Sequence, residues 1–121
     1  MTQTIRGTTA VGVGPTYIPV NRYPQELTIQ VIANTSPTFT VDYTGDDIFW
    51  STAALAAANL QPNRSAQVGD PANAMWTNLI ASGSANAAAT TEARCAAIRI
   101  NITVGASASV TYTINQGGAG E

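Results

Sequence analysis

Three carboxylates fall close together in "VDYTGDDIFW": Asp42, Asp46 and Asp47. Oxygen ligands so near in sequence are the raw material of a Ca²⁺ site, with Gly45 supplying the turn. The spacing fits no EF-hand loop, however, and Gly-Asp is ordinary turn vocabulary. A glycosidase-like carboxylate pair can be drawn from Asp47, Asp70 or Glu92, but nothing in the sequence sets their separation. The expectation is no bound metal and no cofactor, with the three Asp residues as the candidates should a cation bind.

The rest of the catalytic repertoire is thin. The chain has no His, which removes the usual general base and the commonest metal ligand. Ser-His-Asp and Cys-His machinery cannot be assembled. Cys95 is the single cysteine, so no internal disulfide forms, and it reads as a small buried hydrophobe. A reactive thiol needs a cationic setting; Arg94 is adjacent, but no base accompanies it. "GVG" at 12–14 continues into neither a further glycine nor a helix, so it reads as a turn and not a phosphate loop. The expectation is a protein that is not an enzyme.

Aromatic residues offer binding rather than bond-making. Phe49, Trp50 and Trp76 could stack on the apolar face of a sugar, yet a chain of this size also needs large rings inside. Trp76 is expected as a core anchor. Trp50 is the exposed candidate for partner or ligand contact, together with Arg64 and Asp70.

These residues must be positioned by strands. "AIRINITV" alternates Ile98, Ile100, Ile102 and Val104 with Arg99, Asn101 and Thr103, and "SVTYTINQ" repeats the beat with Val110, Tyr112 and Ile114. Together, residues 97–116 predict a β-hairpin. "ELTIQVIA" and "TFTVDYT", separated by the turn signal "NTSP", predict a second antiparallel pair. "TQTIRGTTA", "TYIPV" and "MWTNLIA" are further strands, and Pro19 suggests an edge or a bulge. "STAALAAANL" at 51–60 is expected to be partly helical, with Ser51 or Thr52 as its cap. The fold class is therefore all-β: a small antiparallel β-sandwich or jelly-roll-like barrel with one long, partly helical insertion. It occupies residues 1–116 as a single domain, with 45–91 as the insertion and 117–121 as a flexible tail.

Composition narrows the partners. Of the 121 residues only 10% are charged, against about 25% in a typical domain. The cations are five Arg without a Lys, and the net charge is −2. No basic cluster is available for nucleic acid, and no apolar run reaches the ~18 residues of a membrane span. "MTQTIRGTTA" lacks the pattern of a secretory signal. Strand faces made of Thr, Asn and Ser are cheaper to desolvate than faces of ions. Pro19 and Arg99 are among the few residues able to guard an exposed edge. Such a surface predicts lasting contact with other protein.

The pattern Ala97-Ile98-Arg99-Ile100-Asn101, the closing Val110-Thr111-Tyr112-Thr113-Ile114 to Gln116, the opening "TIRGTT" and the upstream Trp76 resemble small virion proteins of tailed bacteriophages. The likeness covers the last third of the chain and its start, and it is one of hairpin style. It implies a capsid cement or decoration protein, or a head–tail or tail component, with no catalytic motif. The expected partners are the major capsid protein or other virion subunits, in a homo-oligomer taken to be a trimer. The expected place is the outer surface of the head. The alternative is a tail or fibre module that binds a receptor or glycan.

Overall fold

The computed structural model describes residues 3–20, 26–45, 75–92 and 95–117. Eight strands account for most of them: β1 Gln3–Thr8, β2 Gly14–Pro19, β3 Glu26–Asn34, β4 Thr38–Thr44, β5 Thr77–Gly83, β6 Ala87–Thr91, β7 Ala97–Val104 and β8 Ser109–Gly117. Burial follows the period-two alternation of the sequence. In β3, Leu27, Ile29 and Val31 are buried while Glu26, Gln30 and Ile32 are exposed. In β7 the inward set is Ile98, Ile100 and Ile102.

Two four-stranded antiparallel sheets result, in the orders β1-β8-β3-β6 and β2-β7-β4-β5. We call them sheet A and sheet B. Leu27, Ile29, Val31, Val110 and Ile114 of sheet A pack on Ile18, Phe39, Val41, Ile98, Ile100 and Ile102 of sheet B in one core. The described residues thus form an all-β sandwich and contain no helix. The expected helical segment at 51–60 lies outside them. Within the span expected as insertion, β5 and β6 are regular members of the two sheets.

Both expected pairs of consecutive strands are corrected. β7 and β8 do not form a hairpin, because β7 belongs to sheet B and β8 to sheet A. β3 and β4 are likewise divided between the sheets. Alternation specifies which face of a strand is buried, and two apolar faces are buried equally well by meeting across the core. The turns make the difference. Thr35 and Ser36 take positive φ of 64° and 54°, and Gly105 takes 127°. Buried Pro37 lies against Gly105, where an added Cβ would approach the Cα of Pro37 to 3.4 Å. The two crossings therefore interlock at one end of the sandwich.

The same end receives the other crossings. Thr8 pairs with Thr111 and Gly14 with Ile102, so the link from β1 to β2 passes there. Gly83 faces Phe39, and Ala87 faces Val31, which brings the β5–β6 link there too. At the opposite end the Ala96 amide donates to the Thr44 carbonyl at 2.7 Å, and the Val20 amide to the Ala96 carbonyl at 3.2 Å.

Candidate functional site

The sheets differ on their outer faces. On sheet B, the register sets Tyr17 opposite Arg99, Arg99 opposite Asp42, and Asp42 opposite Asn78. A single row thus crosses all four strands. Arg99 donates from Nε and Nη2 to Oδ2 of Asp42 at 3.1 and 2.9 Å. Asn78 Nδ2 donates to the other carboxylate oxygen at 2.8 Å and to the Ile80 carbonyl at 3.1 Å. Trp76, next to the start of β5, lies over the guanidinium, whose carbon is 4.4 Å from the ring centroid. Tyr17 flanks the indole at 5.9 Å between centroids.

This geometry settles how Asp42 is employed. It is buried, and both of its oxygens accept hydrogen bonds from Arg99 and Asn78. A charge removed from water is tolerable when it is paired and its lone pairs are filled. The carboxylate that headed the candidate cation cluster is an ion-pair acceptor. Among the described residues no group of three or more His, Cys, Asp or Glu side chains is placed to hold a metal. Asp46, Asp47, Trp50, Arg64 and Asp70 lie outside the described residues, and Glu92 is exposed beyond β6.

Trp76 is corrected from core anchor to outer-face cover. It is half-buried, and the twelve-residue core cluster does not include it. Its size suggested the interior, but a cation available on the neighbouring face offers an indole an alternative. Arg99 is corrected as well, because β7 is a central strand and its arginine guards no edge. Asn78 was not legible as a functional residue. The signal is the irregular β4–β5 register, whose shifts around Val41 leave carbonyls that its amide satisfies.

The outer face of sheet A carries hydroxyls and carboxamides. Thr4 donates to Asn115 Oδ1 at 2.8 Å, and the Thr8–Thr111 and Thr28–Thr90 hydroxyl pairs are each 3.1 Å apart. Asn34 Nδ2 donates to Ser109 and Thr111 at 3.2 and 3.0 Å. Among the described residues, Arg6 on the edge strand β1, with Glu26 and Glu92 at one rim, are the charged residues of this face. The crossing end adds apolar surface. Val11, Val13, Ile32 and Val104 are 69, 65, 51 and 61% exposed, and all belong to or adjoin the crossings at this end.

Cys95 is buried beside the opposite end, where burial pushes its thiol up from 9.0 to about 11. A thiol held protonated at neutral pH is a poor nucleophile. Among the described residues no helix is long and apolar enough to cross a membrane.

No family model matches the chain, and no curated protein matches it. Two solved structures share its general shape. One is from the Bacillus endospore appendages described as a family of disulfide-linked pili. It is 10% identical with a TM-score of 0.49, covering 98% of this chain and 88% of that one. The other is the SPBc2 prophage-derived protein YomS, 13% identical with a TM-score of 0.49, covering 95% of this chain and 94% of that one. Likenesses of this degree carry no argument about function.

Proposed function

We propose that this protein is a non-enzymatic structural subunit of a bacteriophage virion, a cement or decoration protein that stabilises the head by bridging capsid subunits on its outer surface. The observation that carries the reading is the outer face of sheet A. Its hydroxyls and carboxamides bond to one another across the strands, so docking a partner there strips water from groups that are already partnered. Among the described residues, Arg6 on the edge strand and Glu26 and Glu92 at one rim carry the ionic hydration of this face. The exposed valines of the crossing end extend this surface with apolar area that gains by burial. The strand orders β1-β8-β3-β6 and β2-β7-β4-β5 support reading the sandwich as an eight-stranded jelly roll, an architecture recurrent in viral shells and in lectins.

The mechanism is mechanical. Each copy closes neutral surface across a junction between capsid subunits, and the free energy of that closure opposes rupture by packaged DNA. Virions stripped of the protein are expected to lose heat resistance and to regain it on adding the protein back. A Thr28→Lys, Thr113→Lys variant that folds is expected not to restore it, because two cations on the face must then be desolvated. Full restoration by that variant would remove the reading.

A glycan- or receptor-binding module of a tail or fibre is the second reading, favoured by the Tyr17–Trp76 pair on sheet B. Loss of cell or glycan binding in a folded Trp76→Ala variant, with particle stability unchanged, would select it.

A further inference from the structure

A sandwich of two open sheets has four edge strands, and among the described residues those are β1, β6, β2 and β5. An edge strand presents unpaired backbone donors and acceptors that template another strand unless something blunts them. Three of the four are blunted. In β2 the Val20 amide bonds inward to Ala96, which by period two turns the backbone groups of Pro15, Tyr17 and Pro19 outward. Two of those three positions are prolines without an N–H. β5 carries two register shifts against β4, which bend its edge. β6 has five residues, and its pairing with Leu27, Ile29 and Val31 leaves Ala88 and Thr90 facing out.

β1 has none of these devices. It pairs with β8 without interruption from Gln3 to Thr8 and contains no proline. The Thr9 amide bonds to the Val110 carbonyl, so Ile5 and Gly7 direct their backbone groups at β8. Thr4, Arg6 and Thr8 direct theirs at the open edge. Among the described residues no strand pairs with that side.

We propose that β1 pairs antiparallel with β1 of a second copy of this chain across a two-fold axis, joining the two A sheets into one eight-stranded sheet. Self-pairing suits this strand because it carries one charge, and the side chains fix the register. Arg6 opposite the partner's Arg6 would oppose like charges. Centring the axis on Gly7 would bring no side chains together. Centring it on Ile5 sets Thr4 opposite the partner's Arg6 as a hydrogen-bonded pair. Ile5 then meets the partner's Ile5 on the inner face, covering an apolar side chain that is only partly buried in the single chain. The pairing is independent of where the protein sits on a particle and extends the neutral face of sheet A across both copies.

Sedimentation equilibrium on the full chain at tens of micromolar is the first test. The expected mass is twice the 12.5 kDa of one chain; a mass of one chain, or of the three expected from the sequence, overturns the proposal. Arg6→Pro removes an outward N–H without touching the β1–β8 ladder, so it is expected to yield a folded monomer, and Arg6→Gln is expected to remain a dimer. Thr4→Pro, nearer the end of the strand, serves the same purpose if Arg6→Pro does not fold. A dimer that survives both proline variants overturns the pairing. Ile5→Cys reads the register, because opposed residues at a non-hydrogen-bonded position lie within disulfide reach. Cys95, with its thiol raised to about 11 by burial, leaves the introduced thiol as the reactive one. Mild oxidation is expected to convert most of the variant to a covalent dimer, and a chain that stays uncrosslinked overturns the Ile5 register.

Discussion

The two outer faces spend polar groups in opposite ways. Sheet B concentrates them into one ion pair, Arg99 with Asp42, braced by Asn78 and covered by Trp76. Sheet A spreads them over Thr–Thr, Thr–Asn and Asn–Ser contacts, each between neutral partners on adjacent strands. The ion pair leaves its arginine side chain 27% and its aspartate 9% exposed, so most of its interaction is satisfied inside the molecule. The hydroxyl face keeps its polarity at the surface and carries little charge. A face of the first kind holds a sandwich in register, and a face of the second kind is the one we propose for a partner. The two therefore respond differently to substitution.

Arg99→Ala is the harshest test of the contrast. It leaves the Asp42 carboxylate buried with Asn78 alone, and we expect a loss of about 2–3 kcal/mol in urea-induced unfolding, below the cost of breaking a fully buried pair because Arg99 is partly solvated. Replacing both partners, Asp42→Thr with Arg99→Thr, rebuilds on sheet B the kind of cross-strand pair that sheet A already uses. Most of the loss is expected to return. Cys95 provides an independent readout. At pH 8 its native thiol is protonated, since burial holds it near 11, while the unfolded chain exposes a thiol with the ordinary value of 9.0. Labelling by a thiol reagent should therefore quicken in Arg99→Ala and slow again in the double variant. Equal stability of the wild type and Arg99→Ala would dissolve the distinction between the faces.

Trp76→Ala is expected to cost less, about 1–2 kcal/mol, from the lost cation–π contact and the lost cover over the guanidinium. The effects of Trp76→Ala and Arg99→Ala should fall short of additive when combined, because the indole acts on the cation that the second change removes. Strict additivity would place Trp76 in a separate role. This residue also marks where sequence reading reached its limit. Ile98, Ile100, Ile102, Leu27, Ile29 and Val31 were legible as core residues because period two states burial directly. Trp76 was not, because size alone does not distinguish an interior ring from one lying on an arginine.

Strand partners were less legible than strand faces. The runs around 27–44 and 97–116 carry hairpin signals, yet the structure sends each across the core. The alternation is the same in either arrangement, and the choice lies in short stretches: Thr35, Ser36 and Pro37 in one crossing, Gly105 to Ala108 in the other. Asp42 was visible as a carboxylate, but its partner Arg99 is 57 residues away and is brought opposite by the β4–β7 register. The hydroxyl face was legible in composition, although its assembly from β1, β8, β3 and β6 depends on pairings that no local pattern declares.

The smallest expected effect is on sheet A itself. Thr28→Val removes one hydroxyl of the Thr28–Thr90 pair and keeps the β-branched shape that suits a strand. Thr90 is exposed and turns its hydroxyl to water, so stability is expected to change by no more than about 0.5 kcal/mol. Thr28→Val with Thr90→Val should be equally mild, since no polar group is then left without a partner. The tolerance has a physical origin: each contact on this face exchanges nearly evenly with water, which is also why a partner can replace that water at little cost. Thr28→Lys separates folding from docking. The lysine is expected to leave urea unfolding within the same half kilocalorie while weakening attachment to stripped virions at least tenfold, the equivalent of about 1.4 kcal/mol of charge desolvation. If Thr28→Lys unfolded the chain as readily as Arg99→Ala does, sheet A would be a structural face like sheet B, and the surface for a partner would have to be sought at the exposed valines of the crossing end.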